Sequence, residues 1–328
     1  MQIHKKLLDV LKSKNKFIIT SHVNPDPDAI GSELAIADIL KQLGKEYFIL
    51  NTSSTPYNLK FLDIDNQIQK YNEEEHKTIF ESVDSAIFLD LNSLNRTVRM
   101  EEKFRKFEGE KICIDHHTYP EDFYDFGLIN ETKSSTGEVL FDFINSCKEL
   151  EFNENIALNL YSAIMTDTGS FRYSKTTPEL HKKVAKLLSF NLNPEEIYNE
   201  IYAQYKFSRV KTLGKSLSTI EITKSEKVSY LIVTQAQLKE ANAEESEVDG
   251  FVNFALTTKG VQIGILFFEL KDGVKISFRS KGKTPVNLLA QEFGGGGHTN
   301  AAGTRLYNIS LDEIIPKVLE SAEKLLVS

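Results

Sequence analysis

Short runs of apolar residues recur through the first half of the chain, alternating with stretches of helical period. Phe17-Ile18-Ile19-Thr20, Tyr47-Phe48-Ile49-Leu50, Ala86 to Leu91 and Lys111 to Ile114 read as strands. None alternates strictly between apolar and polar, which suits parallel strands covered on both faces. Between them, Ala29 to Leu43 is expected to be helical. Ile36, Ile39, Leu40 and Leu43 supply its apolar face, and Gly44 stops it. Ser134-Ser135-Thr136-Gly137-Glu138 opens a helix running through Phe143 to Cys147, and Asn155 to Met165 forms another. Pro178 to Leu188 and Pro194 to Tyr202 follow, each with a proline in its first turn. The pattern over 1–204 predicts an α/β domain, a mostly parallel sheet with helices on both faces.

From about Ser225 the pattern becomes richer in strands. Val228 to Thr234, Val261 to Leu270 and Val274 to Phe278 are expected, the last two joined by a hairpin at Lys271-Asp272-Gly273. A helix from Pro285 to Phe293 ends on Gly294-Gly295-Gly296-Gly297-His298. A final helix covers Pro316 to Val327, begun as early as Leu311. These elements predict a second, smaller α/β domain over 225–328. The intervening 205–224, where Lys and Ser are frequent, reads as a linker or hinge.

Bulk composition narrows the function. A chain of 328 residues, 41% hydrophobic and 26% charged, suits two globular domains. The longest apolar run, Val261 to Leu270, is broken by Gln262, Gly264 and Glu269 and is too short for a bilayer. No signal-peptide core follows the N-terminus, where Lys12, Lys14 and Lys16 interrupt the apolar stretch. Only two cysteines are present, Cys113 and Cys147, which argues for a reducing compartment. The expectation is a cytoplasmic protein with no membrane partner. A net charge of −8 argues against gripping long nucleic acid by its backbone and favours short phosphorylated ligands.

Candidate chemistry lies where strands stop or helices end. The pieces are Ser21-His22-Val23-Asn24-Pro25-Asp26-Pro27-Asp28, Asp90, Asp115-His116-His117 and Thr166-Asp167-Thr168-Gly169. Such positions face the ligand crevice of an open α/β sheet. Asp26 and Asp28 are two apart, so in an extended loop they point the same way. Carboxylates gathered in one crevice repel each other, and divalent cations would neutralise them. Mixed His and Asp donors suit Mn²⁺ foremost, with Zn²⁺, Co²⁺ or Fe²⁺ also admissible. Each residue alone has a plainer reading, as a cap, a turn former or a core histidine. Together they point to two metal ions and a phosphoesterase. His4, His76 and His181 lack such neighbours and are assigned to surface or core, and Cys113 to core packing.

This set of motifs resembles the DHH phosphoesterase family, named for its Asp-His-His triplet. Gly294-Gly295-Gly296-Gly297-His298-Thr299-Asn300-Ala301-Ala302-Gly303 resembles the signature of the associated DHHA1 domain. The resemblance implies that His22, Asp26 and Asp90 hold one metal, and that Asp28, Asp90, His116 and Asp167 hold the other. Asp115 would then orient a histidine or the loop, and His117 would face the scissile phosphate. Arg279 and His298, with Lys281 and the backbone of Gly295, Gly296 and Gly297, would meet phosphate or nucleotide. Arg96 is a further candidate. Pro27 departs from the family, where glycine is common, and removes a backbone donor while leaving the ligands on either side intact.

Length and the Gly-rich segment point to the compact two-domain type, the nano-RNases and 3′-phosphoadenosine 5′-phosphate (pAp) phosphatases. The substrates implied are short RNA oligonucleotides, linear dinucleotides such as pApA and pGpG, and pAp. A homodimer is compatible with this reading. The alternatives are a single-strand exonuclease on longer nucleic acid and a pyrophosphatase or polyphosphatase.

Overall fold

Strands buried on both faces need helices on both sides, and the first half of the chain builds that sandwich. The computed structural model describes residues 2–326. In it the chain divides between Gln204 and Tyr205 into two compact units. The strands of the first are β1 (Lys16–Thr20), β2 (Glu46–Asn51), β3 (Ile68–Lys70), β4 (Ser85–Leu89), β5 (Glu110–Asp115) and β6 (Phe126–Ile129). All pair in parallel, in the order β3-β2-β1-β4-β5-β6.

The helices of this unit are α1 (Gln2–Ser13), α2 (Pro27–Gln42), α3 (Lys77–Ser82), α4 (Glu101–Arg105), α5 (Thr136–Ser146), α6 (Glu154–Asp167), α7 (Pro178–Leu188) and α8 (Pro194–Tyr202). Phe17 and Ile19 enter one core with residues of α1, α2, α5 and α6. Ile18 points the other way, into a core with Phe88, Met100 and Phe104. Period-two alternation therefore feeds two apolar layers, which is why the strands show no polar face. A Cβ on Gly31 would collide with the carbonyl oxygen of Asn159, so glycine lets α2 and α6 approach closely.

Strand order places the ligand crevice. The chain moves outward from β1 through β2 to β3, then returns to the other side of β1 as β4. The crevice of such a sheet opens at that reversal, beyond the carboxyl ends of β1 and β4. Register does the rest: Thr20 pairs with Phe88, and Leu89 with Ile114. Residues just past the strand ends, His22, Asp90 and Asp115-His116, consequently emerge level with one another.

The second unit carries a six-stranded mixed sheet, in the order β11-β12-β10-β9-β8-β7. Its elements are α9 (Phe207–Leu217), β7 (Glu221–Ile222), β8 (Val228–Val233), α10 (Gln235–Ala241), α11 (Val252–Leu256), β9 (Ile263–Leu270), β10 (Gly273–Ser280), α12 (Val286–Glu292), β11 (Gly296–His298), β12 (Ala301–Tyr307) and α13 (Leu311–Leu325). Residues of α12 and α13 fill one face of the sheet, and those of α11 the other.

The stretch 205–224, expected as a linker, folds as α9 and β7 within the second unit. Leu213 packs on the α11 side, and Arg209 lies 5.0 Å from the Phe251 ring centroid. The last helix starts at Leu311; its expected end at Val327 lies outside the described residues. No helix among the described residues is long and apolar enough to cross a membrane.

Candidate metal centre

Each carboxylate of the centre is delivered by a backbone device that its own sequence dictates. Asp26 is the N-cap of α2, its Oδ1 accepting from the Asp28 and Ala29 N–H groups at 2.9 and 3.1 Å. Pro27 takes the first helical position, where its missing donor costs nothing. Asp26 and Asp28 therefore converge through a helix cap and first turn; the expected extended loop is not formed. Asp90 follows β4 with φ of 56°, a left-handed conformation that Asp tolerates better than most residues. Asp167 is the last residue of α6.

These side chains meet three histidine rings. His22 Nε2 lies 3.3 Å from Asp90 Oδ2 and 3.9 Å from Asp26 Oδ2. His116 Nε2 lies 3.2 Å from Asp167 Oδ2, 3.4 Å from Asp90 Oδ1 and 3.7 Å from Asp28 Oδ2. The two oxygens of Asp90 are thus divided between two His–Asp groups. Each group, His22 with Asp26 and Asp90, and His116 with Asp28 and Asp167, has ligand atoms within 4.8 Å of one another. Asp90, His116 and His117 form a third such group. His22 Nδ1 is 2.9 Å from the Val23 carbonyl, which fixes that nitrogen as a donor and leaves Nε2 facing the carboxylates, as a donor to Asp90 while protonated and as the nitrogen a cation would take.

Asp115 behaves differently from its neighbours. Fully buried, its Oδ1 accepts from the His116 N–H at 2.8 Å and lies 2.8 Å from His117 Nδ1. That orients the His117 ring as well as the loop. Arg96 also reaches the centre, its Nη1 3.4 Å from the Asp90 carbonyl, while its own carbonyl accepts from Val23 N–H.

Electrostatics show how crowded the cluster is. Burial, then the charges of Asp90, Asp167 and Asp26, push Asp28 well above the usual carboxylate range. Burial and Asp90 push Asp167 up to about 7. Burial also opposes the charge on Asp90, but hydrogen bonds from His116 and His22 outweigh it and hold Asp90 ionised. His22 and His116 are raised in turn, burial being overcome by Asp90. Protons on histidines and carboxylates therefore do the neutralising that a cation would otherwise do. A donor set of imidazole nitrogens and carboxylate oxygens fits a divalent ion in each of the two main groups.

One support was not foreseen. The N-terminus of α5 points at Asp28, whose Oδ2 and Oδ1 accept from the Thr136 and Gly137 N–H groups at 2.8 Å each. The Thr136 hydroxyl lies 3.1 Å from Asp90 Oδ1. Ser135 caps this helix, so the Ser-Thr-Gly start was the available signal: free amides at a helix start attract carboxylates. Thr136→Val keeps the shape and removes one hydrogen bond to a charged group, worth about 1.5 kcal/mol, so kcat/KM should fall about tenfold. Steady-state kinetics check this, with an unchanged melting temperature excluding a folding defect.

The remaining candidates belong to the second unit. Arg279 is half-buried near the end of β10, and its Nη1 donates to the Phe278 carbonyl at 2.9 Å. It lines a cavity of about 350 Å³ with Lys275, Ser277, Asp249 and Gly296. Lys281 is exposed just beyond β10. Gly295 precedes β11, and Gly296, Gly297 and His298 form it, paired with Gly303, Ala302 and Ala301 of β12. A Cβ on Gly295 would strike the Gly303 carbonyl, which explains one glycine of the run by packing.

Comparison with known proteins agrees with this architecture. Residues 16–164 match the family model for the DHH family, N-terminal domain, and residues 227–328 that for the DHHA1 domain. A Thermus thermophilus protein, the bifunctional oligoribonuclease and PAP phosphatase NrnA, is 31% identical over 96% of this chain and 92% of its own. A Bacillus subtilis protein of the same name is 25% identical over 92% and 93%. The crystal structure of an exopolyphosphatase-related protein from Bacteroides fragilis superposes with a TM-score of 0.91 at 31% identity, covering 100% of this chain and 98% of that one. The chain belongs to the DHH/DHHA1 family of phosphoesterases.

Proposed function

We propose that this enzyme uses two divalent metal ions, Mn²⁺ foremost, to hydrolyse short oligoribonucleotides and linear dinucleotides such as pApA and pGpG to mononucleotides, and pAp to AMP. The observation that carries this is the division of the two Asp90 oxygens between the His22–Asp26 and His116–Asp28–Asp167 groups. A carboxylate so placed would offer one oxygen to each ion. When bound, the ions supply the Lewis acidity that activates water and offsets the charge of the phosphoryl oxygens.

The chain's own residues do the rest. His22, Asp26 and Asp90 would hold one ion; Asp28, Asp90, His116 and Asp167 would hold the other. Asp115, accepting from His117 Nδ1, leaves Nε2 of that ring to face the scissile phosphate. The Arg96 guanidinium adds positive charge beside Asp90. In this reading the first unit is the catalytic, metal-binding domain and the second is the substrate-binding domain. Arg279, Lys281, His298 and the backbone of Gly295, Gly296 and Gly297 hold phosphate or nucleotide. The T. thermophilus and B. subtilis relatives are named for oligoribonuclease and PAP phosphatase activities, which supports the substrate class. A net charge of −8 favours the short substrates among nucleic acids. Two free, buried cysteines suit a reducing, cytoplasmic setting.

A Mn²⁺-dependent assay offering pApA, pAp, long single-stranded RNA and pyrophosphate side by side tests the proposal. Conversion of pApA or pAp to AMP, with the long RNA mostly intact, is the expected result. Preference for pyrophosphate or the long strand would overturn the substrate assignment. His298→Ala should raise KM for pAp and pApA about tenfold, the loss of one charge-assisted contact. Unchanged constants for both substrates would remove His298 from the site.

A further inference from the structure

Four polar residues meet in the interior next to His22, and none of them is a candidate ligand. Glu33 lies on α2, fully buried, with Oε2 accepting from Asn51 Nδ2 at 2.9 Å. Asn51, the last residue of β2 and also fully buried, accepts at Oδ1 from the Ser21 N–H at 3.3 Å and the Thr20 hydroxyl at 3.4 Å. Glu33 Oε1 and Ser21 Oγ are buried without a well-formed hydrogen bond, yet the Ser21 hydroxyl is near enough to act on the Glu33 carboxyl. A buried polar group without a role is costly, so this set calls for one.

Its position supplies the role. Ser21 is followed by His22, and α2 begins with Asp26 and Asp28, so the Glu33–Asn51–Ser21 bridge joins the strand end and the helix that carry candidate ligands. We propose that Glu33 is a positioning residue, which clamps α2 to the ends of β1 and β2 and thereby fixes His22 relative to Asp26 and Asp28. This deepens the two-metal reading and rests on it for its catalytic consequence. Burial favours the acid form, and the pocket can satisfy it. A carboxylate offers only acceptors, whereas a carboxylic acid also supplies an O–H for the Ser21 oxygen. Burial pushes Glu33 up to about 8, with the Ser21 and Asn51 hydrogen bonds and His22 working against burial and Asp63 reinforcing it. At neutral pH Glu33 thus adds little negative charge to a region already crowded with carboxylates.

Glu33→Gln and Glu33→Ala, each stripped of metal and titrated with Mn²⁺ by calorimetry, test the clamp. The amide reproduces the donor and acceptor of the acid, so Glu33→Gln should keep Mn²⁺ affinity and turnover of pAp at pH 7 within about twofold. Glu33→Ala should weaken binding of one Mn²⁺ by about tenfold or more and lower kcat with KM little changed, as when the partner that orients a ligand is removed. Parental affinity for two Mn²⁺ in Glu33→Ala would overturn the proposal.

Heat stability adds a readout that packing alone would not move. Glu33 is raised in the folded state, so its contribution is present below its unfolded pKa and is lost as pH rises toward 8. Glu33→Gln has no such loss, and its melting temperature should gain on the parent from pH 5 to 8 and level off above. Parallel melting curves across that range would overturn the acid-form clamp, whether or not Glu33→Ala folds. Imidazole ¹⁵N resonances of His22 in metal-free protein complete the test. Glu33→Ala should shift them and Glu33→Gln leave them in place, even if the parent binds no Mn²⁺, an outcome that would sink the two-metal reading alone.

Discussion

Asp90→Asn is expected to lower kcat on pApA and pAp by about a thousandfold or more, corresponding to about 4 kcal/mol of lost transition-state stabilisation. The figure follows from geometry. Among the described residues Asp90 is the single carboxylate whose two oxygens reach both His–Asp groups, Oδ2 toward His22 and Oδ1 toward His116. Asparagine is the informative replacement because Asp90 sits at φ of 56°, a region that Asn also tolerates. Asp90→Ala removes the same charge but adds a left-handed backbone strain of about 1 kcal/mol, so it should also melt earlier. A loss common to both variants reports the charge, and a loss confined to alanine reports the backbone. Calorimetric titration should show Mn²⁺ stoichiometry falling below two in either. If Asp90→Asn turned over within about tenfold of the parent, the assignment of Asp90 to both ions would be wrong.

The legible parts of this chain are those where one residue's neighbours in sequence decide its environment. Continuous runs such as Phe17 to Thr20 and Lys111 to Ile114 announced buried parallel strands, and the carboxylates and histidines at their ends announced the crevice. Prolines at 27, 178 and 194 all stand in first helical turns. Helix α9 was obscured by its Lys and Ser content: Phe207, Val210, Leu213 and Leu217 keep a helical spacing, yet the residues it buries are Thr212 and Ser216. The three-residue β3, Ile68–Lys70, is too short and too polar to differ from a loop.

Within the centre, the donors were legible and their supports were not. Thr136 and Gly137 reach Asp28 across 108 and 109 residues, and Asn51 reaches Glu33 across 18 residues and two elements. Sequence marks a Ser-capped helix start without saying which carboxylate it will face. The helix period likewise places Glu33 among Leu34, Ala35 and Ile36 without saying that an acid will be held in that layer.

Chelation of divalent cations is expected to lower the melting temperature far more at pH 8 than at pH 5. In the metal-free protein burial and neighbouring carboxylates raise Asp28, and they bring Asp167 up to about 7. Unfolded aspartates titrate near ~3.9, so between that value and neutrality the folded protein holds protons that the unfolded chain has released. The stabilising contribution of the Asp167 proton is complete below the unfolded pKa and is lost as pH rises through about 7. Asp90 stays ionised across this window because the histidines hold it low, so it adds no slope.

Above pH 7 the metal-free centre must keep Asp90 and Asp167 charged against each other, and divalent ions relieve that repulsion with fewer competing protons. An ion at a thousand times its Kd stabilises by about 4 kcal/mol, which shifts a unit of this size by about 10 °C. At pH 5 the same ion must displace protons, and the shift should fall to less than about half of that. Differential scanning calorimetry with and without chelator from pH 5 to 8 measures both. A chelator effect equal at the two ends would show that the carboxylates are not proton-loaded as their crowding requires. Indifference to chelator at every pH would remove the metals from the centre altogether.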